Sequence, residues 1–323
     1  MLKDNYGREI NYARISLTDR CNLRCRYCMP PEGIDFKPHG EILSFEEIYS
    51  LVEALKETGF TKFRFTGGEP FVRKNAMEFF ENLQLKEFFI TTNLAAEALD
   101  ISRINKLKLG GINVSMDTLN PAKFSAMTRG GDINPVLGRL KALTVRPLKL
   151  NTVVIKNFNE DEVEQLIKFA AGLGATVRFI EKMDIISNDL GFVSLGEIAR
   201  GLIKKGVIRD CANAQNNSVA KYYDTPEGKN KVGFITPESS PFCSDCNRIR
   251  ILANGDIKLC LFSRKIFNIR AMLRNNSNQK ALCGYIRDIL NGKPFNAKAA
   301  KGENIINLPG SPLGSRVIAG GGN

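Results

Sequence analysis

The chain has 323 residues, 43% of them hydrophobic, and a formal net charge of +12; this length fits an α/β barrel with an elaboration, and this composition supports a sizeable core. No run of eighteen apolar residues occurs and the first residues lack the apolar core of a signal peptide, so we expect a cytoplasmic protein without a membrane span. The basic residues are dispersed and form no block of five, which argues against a nucleic-acid partner.

The first half alternates between strand and helix patterns. Predicted strands lie at 14–17, 63–66, 88–91, 112–116, 148–155 and 177–180. Predicted helices follow them: one begins after a capping box, Ser44 with Glu47, others cover about 73–83 and 95–107, and Asn159 is predicted to cap a helix at 160–172. Repeated strand–helix units predict parallel strands with right-handed crossovers, and six units are too few for an eightfold barrel.

The pattern changes near residue 184, so we predict a first domain at 1–185 and a second at 186–323. In the second, Ser194 and Glu197 form a predicted capping box, and short strands are expected at 219–223 and 232–235. A hairpin is predicted from 248 to 260, with a two-residue type I′ turn at Asn254-Gly255 that pairs Ile249 with Cys260. A tail rich in Gly, Ser and Pro begins at residue 309.

Cysteines form two incomplete metal-ligand sets. Cys21, Cys25 and Cys28 have the spacing C-x3-C-x2-C, whereas a [4Fe–4S] cluster normally takes four thiolates. If these three bind one cluster, its fourth iron is open to another ligand. The chain has one histidine, so a zinc site, which is the competing interpretation, would need distant cysteines.

The second set is Cys243, Cys246 and Cys260. The predicted hairpin returns Cys260 to the neighbourhood of Cys246, so three thiolates can converge here as well. Cys211 and Cys283 are candidate fourth ligands, but small buried side chains are the more frequent role of such cysteines.

The first set lies in TDRCNLRCRYCMP at 18–30, which resembles the signature of radical S-adenosylmethionine (SAM) enzymes. The resemblance implies a partial (β/α)6 barrel with a C-terminal α+β extension that closes it. It also implies that the open iron chelates SAM, whose reductive cleavage gives a 5′-deoxyadenosyl radical.

A closer resemblance covers about residues 12–273. The motif FCSDCNRIR at 242–250, the NG turn with LCLF at 259–262, RFTGGEP at 64–70 and NVSMD at 113–117 are similar to those of the GTP 3′,8-cyclase family, molybdenum cofactor biosynthesis protein A. That resemblance implies a lyase with two [4Fe–4S] clusters, one binding SAM and one binding the guanine of GTP. Its product is 3′,8-cyclo-7,8-dihydro-GTP. Implied partners are a reductant protein and a downstream cyclic pyranopterin synthase, and a homodimer is compatible with it.

The resemblance also assigns site residues. Residues expected to line SAM are Tyr27, Gly67, Gly68, Thr92, Ser115 and Met183, where the glycines leave the backbone open at a strand end. Residues expected to bind GTP are Arg14, Lys62, Arg64, Lys149, Arg178, Arg248 and Arg250. Strand alternation places Arg248 with Arg250 on one face and Lys62 with Arg64 on one face, and arginine suits phosphate oxygens.

Two departures from the family pattern stand out. Leu94 replaces the glycine usual after Thr-Thr-Asn, and the terminal glycines, Gly321 and Gly322 among them, are followed by Asn323. In the family a free Gly-Gly tail reaches the active site, so removal of 321–323 is expected to abolish product formation while both clusters assemble. The alternatives are a radical SAM peptide maturase with an auxiliary cluster and a non-catalytic zinc or RNA-binding protein, which would be colourless.

Overall fold

A computed structural model describes residues 2–97, 99–183, 188–211, 219–228, 230–275 and 278–302. The chain divides into two compact units. The first comprises the chain up to Cys21, Asp35–Phe88 and the chain from Cys243, and the second comprises Asn22–Ile34 and Phe89–Phe242. The boundary predicted at residue 185 falls outside the described residues and stays a prediction.

Strands and helices follow one another along the described chain. The strands are β1 (Tyr12–Ser16), β2 (Lys62–Thr66), β3 (Phe88–Thr92), β4 (Leu109–Ser115), β5 (Leu148–Val154), β6 (Thr176–Glu181), β7 (Arg209–Asp210), β8 (Lys221–Asp224), β9 (Lys231–Ile235), β10 (Arg248–Ile251), β11 (Asp256–Lys258) and β12 (Phe267–Asn268). The helices are α1 (Phe45–Glu57), α2 (Ala76–Glu81), α3 (Ile101–Lys106), α4 (Pro121–Thr128), α5 (Asn134–Ala142), α6 (Val163–Gly172), α7 (Leu195–Lys204), α8 (Arg270–Arg274), α9 (Gln279–Leu290) and α10 (Ala297–Gly302).

The first unit is built around β1. This strand pairs in parallel with β2 on one side and with β10 on the other, and β11 and β12 continue from β10 in antiparallel order. Helix α1 packs against α8 and α9. It begins with the predicted capping box, in which Ser44 Oγ accepts from the Glu47 amide and Glu47 accepts from the Ser44 amide, so this prediction is confirmed.

The second unit contains the parallel strands β4, β5, β6 and β9. β8 pairs antiparallel with β9, and β7 with β8. Helix α6 packs on β6, and α7 packs on β6 and β9. The predicted α/β class with parallel strands is confirmed, and the strands after residue 186 extend both units. Among the described residues, no helix has both the length and the apolar composition to cross a bilayer.

Several local predictions were wrong. α2 and α3 are shorter than the predicted helices, and α4 and α5 were not predicted at all. Ser194 precedes α7 but its side chain makes no capping hydrogen bond. Asn159 stands at the predicted start of the helical segment 160–172, but its side chain makes no capping hydrogen bond, because its amide accepts from the Ile155 N–H and donates to the carbonyls of Asp117 and Val153. Its side chain therefore fixes the chain after β5 instead of the start of a helix.

The hairpin of β10 and β11 also differs from the predicted one. Arg250 lies opposite Lys258 and Ile251 opposite Ile257, so the register is one residue away from the pairing of Ile249 with Cys260. The loop has three residues, with Gly255 at φ +82° and its amide donating to the Leu252 carbonyl. Such a loop combines a turn with a left-handed glycine, and an Asn-Gly pair fits this loop as well as a two-residue type I′ turn.

Candidate active site

Two rows of side chains cross three neighbouring strands of the first unit. Register places Arg248, Tyr12 and Lys62 in one row, and it places Arg250, Arg14 and Arg64 in the next. Since neighbouring strands lie about 4.8 Å apart and alternate residues share a face, the two rows form one surface. Five of the seven predicted GTP-binding residues are therefore brought together, with a tyrosine among them.

Three cations of this surface, Arg14, Arg64 and Arg248, are buried, so little water screens their mutual repulsion. Arg14 is 5% exposed, and burial together with the charges of Arg250 and Arg64 lowers its pKa from 12.5 to about 9. Removal of the arginines from water is costly unless an anion offsets it. The arrangement thus favours a ligand with several negative charges.

Tyr12 is the acidic group within this surface. Its hydroxyl oxygen accepts a hydrogen bond from Arg64 Nε at 2.7 Å, and Lys62 Nζ lies 5.2 Å from the centre of its ring. Burial by itself raises the pKa of Tyr12, but Arg64, Arg14 and Lys62 more than offset that effect and lower the pKa to about 7. Tyr12 can therefore supply a negative charge to the cations when no other anion is bound.

The other two predicted GTP-binding residues lie in the second unit. Arg178 on β6 donates from Nε and Nη2 to Asn151 Oδ1, at 2.9 and 2.6 Å. Lys149 lies two residues before Asn151 on β5 and therefore on the same face. Asn151 fixes the direction of the guanidinium, and Gly233 opposite Arg178 leaves room for its stem, since a Cβ there would lie 3.1 Å from Arg178 Cγ.

The second cysteine set lies beside the cationic rows in the first unit. The thiols of Cys246 and Cys260 both interact electrostatically with Lys293 and Arg250. Burial opposes ionisation of Cys246, but Lys293, Arg248 and Arg250 together lower its pKa from 9.0 to about 7. This environment favours the thiolate, which is the form that binds iron.

No three histidine, cysteine, aspartate or glutamate side chains of the described residues converge as ligands of a single metal ion. A cubane cluster makes a different demand, because each thiolate binds its own iron and the sulfur atoms stand apart around the cube. The anionic character of Cys246 and the soft thiolate donor set fit an iron–sulfur cluster. The six ligand assignments stay predictions from the sequence.

The first cysteine set straddles the division of the chain. Cys21 ends the N-terminal segment of the first unit, whereas Cys25 and Cys28 belong to the second. Arg129, at the end of α4, donates from Nη1 to the carbonyls of Arg24 and Met29, at 2.7 and 2.8 Å. The loop that carries Cys25 and Cys28 is thereby held at both ends.

Tyr27 and Asp117 form a buried pair next to these thiols. The Tyr27 hydroxyl donates to Asp117 Oδ2 at 2.8 Å, and Asp117 Oδ1 accepts from the Val153 N–H at 2.8 Å. Burial raises the pKa of Asp117 from 3.8 to about 6, and burial and Asp117 raise the pKa of Cys28 to about 11. Iron binding must therefore release a proton from Cys28.

The remaining predicted SAM residues lie at strand ends. Thr92 and Ser115 end β3 and β4, and Met183 follows β6 by two residues. Gly67 and Gly68 follow β2, and here the close approach of a neighbouring backbone segment is what requires glycine. A Cβ at Gly68 would lie 2.2 Å from the Arg20 carbonyl oxygen, and the Gly68 amide donates to the Thr18 carbonyl. The glycines allow the backbone to pack directly on the segment that carries Cys21.

Some residues near the sites were missed by sequence reasoning. These are Tyr12, Asn151, Arg129 and Lys293. Strand alternation with Arg14 was an available signal for Tyr12, and alternation with Lys149 was one for Asn151. Lys293 is distant in sequence from every motif, so only the fold could reveal it.

Of the two departures from the family pattern, the structure describes Leu94 but not the terminal glycines. Leu94 adopts φ +56°, the left-handed conformation that glycine adopts at little cost, and its side chain is fully buried. The predicted tail residues Gly321 and Gly322 lie outside the described residues. Of the extra cysteines, Cys283 is buried between α9 and α1, and Cys211 accepts a hydrogen bond from Lys231 at 3.0 Å.

Comparison with protein families gives two matches along the chain. The sequence model of the Radical SAM superfamily matches residues 15–170, and that of Molybdenum Cofactor Synthesis C matches residues 175–299. The first match contains the Cys21 set, and the second contains the Cys243 set.

Curated relatives cover nearly the whole chain. A GTP 3′,8-cyclase from Desulforamulus reducens is 40% identical over 306 residues, which are 90% of this chain and 93% of the relative. One from Clostridium botulinum is 39% identical over 304 residues with the same coverage, and one from Peptoclostridium acidaminophilum is 37% identical over 318 residues, 94% and 96% of the two chains.

Solved structures support the fold. Streptococcus suis SuiB bound to precursor peptide SuiA has a TM-score of 0.59 and 15% identity, and the match covers 91% of this chain and 67% of SuiB. SuiB bound to S-adenosylmethionine has a TM-score of 0.58 at the same identity and covers 87% and 68%. At this identity the likeness concerns the fold alone.

Proposed function

Since this chain belongs to the GTP 3′,8-cyclase family of radical SAM enzymes, we propose that it converts GTP to 3′,8-cyclo-7,8-dihydro-GTP in molybdenum cofactor biosynthesis. The observation that carries this proposal is the surface of five cations on β10, β1 and β2. The reaction is an intramolecular cyclisation, and the enzyme is classed as a lyase.

The cationic surface suits the triphosphate of GTP. Arginine binds phosphate oxygens through two parallel hydrogen bonds, and Arg14, Arg64 and Arg248 are buried enough for such bonds to be strong. A triphosphate would offset both the burial and the mutual repulsion that lower the pKa of Arg14. Lys149 and Arg178, whose guanidinium is held by Asn151, are kept as proposed GTP-binding residues on the basis of the family resemblance.

We assign the first cluster to Cys21, Cys25 and Cys28 and the second to Cys243, Cys246 and Cys260. When bound, the first cluster and SAM supply the 5′-deoxyadenosyl radical that removes the 3′ hydrogen of GTP. Tyr27, held by Asp117, is proposed to line SAM together with Gly67, Gly68, Thr92, Ser115 and Met183. The protein's task is to orient the two substrates and to exclude water from the radical.

The partners follow from this chemistry. Reductive cleavage of SAM requires an electron, so we propose a reductant protein, and we propose that the product passes to a downstream cyclic pyranopterin synthase. We propose a reducing compartment such as the cytoplasm, because the thiolate ligands of iron–sulfur clusters require reducing conditions. A homodimer is proposed as the assembly, which sedimentation of the reconstituted protein tests.

The peptide-maturase alternative has less support. The relatives that cover 90% or more of the chain at 37–40% identity carry the cyclase name, whereas the likeness to SuiB rests on 15% identity. The match of residues 15–170 to the Radical SAM superfamily argues against the zinc or RNA-binding alternative.

The experiment compares two cysteine variants of the anaerobically reconstituted enzyme with SAM and GTP. Cys25→Ser is expected to abolish formation of 5′-deoxyadenosine, and Cys246→Ser is expected to retain some of it while losing cyclised GTP, both read by mass spectrometry. Cys283→Ser, on the α1–α9 contact, is the matched control and should retain both products. Equal loss of SAM cleavage in Cys25→Ser and Cys246→Ser would contradict the division of labour between the two sets.

A further inference from the structure

Arg8 connects the N-terminal segment to the second cysteine set. Its Nε donates to Asp4 Oδ2 at 2.7 Å in a buried ion pair, and Asp4 Oδ1 also accepts from the Arg8 amide. The other end of the guanidinium is directed at backbone oxygens. Nη1 donates to the carbonyls of Cys243 and Phe295, at 2.9 and 2.8 Å, and Nη2 donates to that of Pro294 at 2.8 Å.

Lys293 makes a second set of contacts in the same region. It is 3% exposed, and its ammonium group donates to the Arg248 carbonyl at 2.8 Å and to the Leu259 carbonyl. Leu259 immediately precedes Cys260, and Arg248 follows Cys246 by two residues. Burial of a lysine is costly unless its charge is hydrogen-bonded and compensated. Here the two carbonyls supply the hydrogen bonds, and the thiols of Cys246 and Cys260 can supply the compensating negative charge.

The two cations act as one unit, because Arg8 holds the carbonyls of the two residues that follow Lys293. We call Asp4, Arg8 and Lys293 the brace. Arg8 fixes the backbone at Cys243, and Lys293 fixes the backbone after Cys246 and before Cys260. Together they contact all three segments that carry thiols of the second set.

We propose that Arg8 and Lys293 are positioning residues that hold Cys243, Cys246 and Cys260 at the separations required by the second cluster. The inference rests on the proposed function only in that the second set binds a cluster. It adds to that function a reason why three thiolates suffice: the hydrogen bonds of Arg8 and Lys293 keep the ligand loops in place where a fourth thiolate is lacking. The ammonium of Lys293 also lies where it offsets the negative charge of the Cys246 and Cys260 thiolates.

The test uses Lys293→Met, which keeps an unbranched side chain one atom shorter and removes both hydrogen bonds and the charge. After anaerobic reconstitution, the full chain is analysed for iron and sulfide, and its cysteines are alkylated and identified by mass spectrometry. Wild type is expected to hold about eight irons and Lys293→Met about four. In the variant, Cys243, Cys246 and Cys260 should be alkylated several-fold faster, while the Cys21 set stays protected.

Arg8→Lys provides a second variant in case Lys293→Met does not fold, which circular dichroism reports. It keeps a charge for Asp4 but offers one nitrogen in place of the fork that reaches three carbonyls, so partial loss of the second four irons is expected. Lys280→Met, at an exposed position of α9, is the matched control and should hold about eight irons.

Full iron content in both folded variants, or equal alkylation of the two cysteine sets, would overturn the inference. Failure of the proposed function has a different signature, because it would appear in the wild type. A wild-type chain with about eight irons that does not cyclise GTP would refute the function and leave the brace intact, whereas a wild type with about four irons would refute both.

Discussion

Replacement of Tyr12 by phenylalanine tests the electrostatics of the proposed GTP surface. The change removes one oxygen, which accepts from Arg64 Nε at 2.7 Å, and leaves the ring between Lys62 and Arg248. The variant is expected to bind GTP with an affinity that depends less on pH than that of the wild type.

The magnitude follows from the pKa of Tyr12, which is lowered from 10.0 to about 7. A shift of about three units corresponds to about 4 kcal/mol of preference for the phenolate in the presence of the cations. The groups that face it are Arg64, Arg14 and Lys62, with Arg248 across the ring. A bound triphosphate would compensate those cations and raise the pKa again, so GTP binding above pH 7 should take up a proton.

The sign is fixed by linkage. Because the phenolate forms as the pH rises through about 7, GTP must then bind against an internal anion, and affinity should fall by up to tenfold per pH unit. At about pH 8, Tyr12→Phe should therefore bind GTP up to about tenfold more tightly than wild type, whereas at about pH 6 it should bind no more tightly.

Isothermal titration with GTP in two buffers of different ionisation enthalpy measures both the affinity for GTP and the number of protons taken up on binding. Wild type should take up a fraction of a proton that Tyr12→Phe does not, beyond the protonation of GTP itself, which is common to both. Tyr49→Phe is the control, since its hydroxyl donates to the Phe79 carbonyl and burial raises its pKa. The same pH dependence in wild type and Tyr12→Phe would refute the assignment of the rows to the triphosphate.

Three further predictions concern single residues. Arg248→Ala should weaken GTP binding by about 1.5–3 kcal/mol in the same titration, with the exposed Arg287→Ala unchanged; equal affinities would place the triphosphate elsewhere. Leu94→Gly should relieve about 1–2 kcal/mol of strain from the left-handed backbone, but it removes a fully buried leucine side chain whose packing contributes more. Urea unfolding should therefore show a free energy of unfolding lower by about 1–3 kcal/mol, and an increase would mean that the strain dominates. Asp117→Asn should become more stable relative to wild type as the pH rises from about 4 to about 7, by up to about 3 kcal/mol, because the raised pKa of Asp117 means that its ionisation opposes folding; a pH-independent difference would contradict this.

Local patterns in the sequence were sufficient where one element decides the outcome. The Ser44 capping box formed as predicted, because both of its hydrogen bonds lie within four residues. Ser194 with Glu197 has the same pattern but formed no such bond, and the Asn254-Gly255 hairpin has a loop one residue longer than predicted. In the hairpin the choice between turns that differ little in energy is made by the strands on either side.

The sequence by itself determined the α/β class, the two cysteine sets and the pairs of cations on single strands, since strand alternation and motif spacing are properties of contiguous chain. Only the tertiary structure aligned Arg14 with Arg64 and Arg250 in one row, because strand register depends on pairing between residues that are fifty and more than two hundred positions apart. It also placed Tyr12 among those cations and Arg8 and Lys293 beside the second cysteine set. Burial and long-range hydrogen bonds, which set the pKa values and positions of these groups, arise only when distant segments pack together.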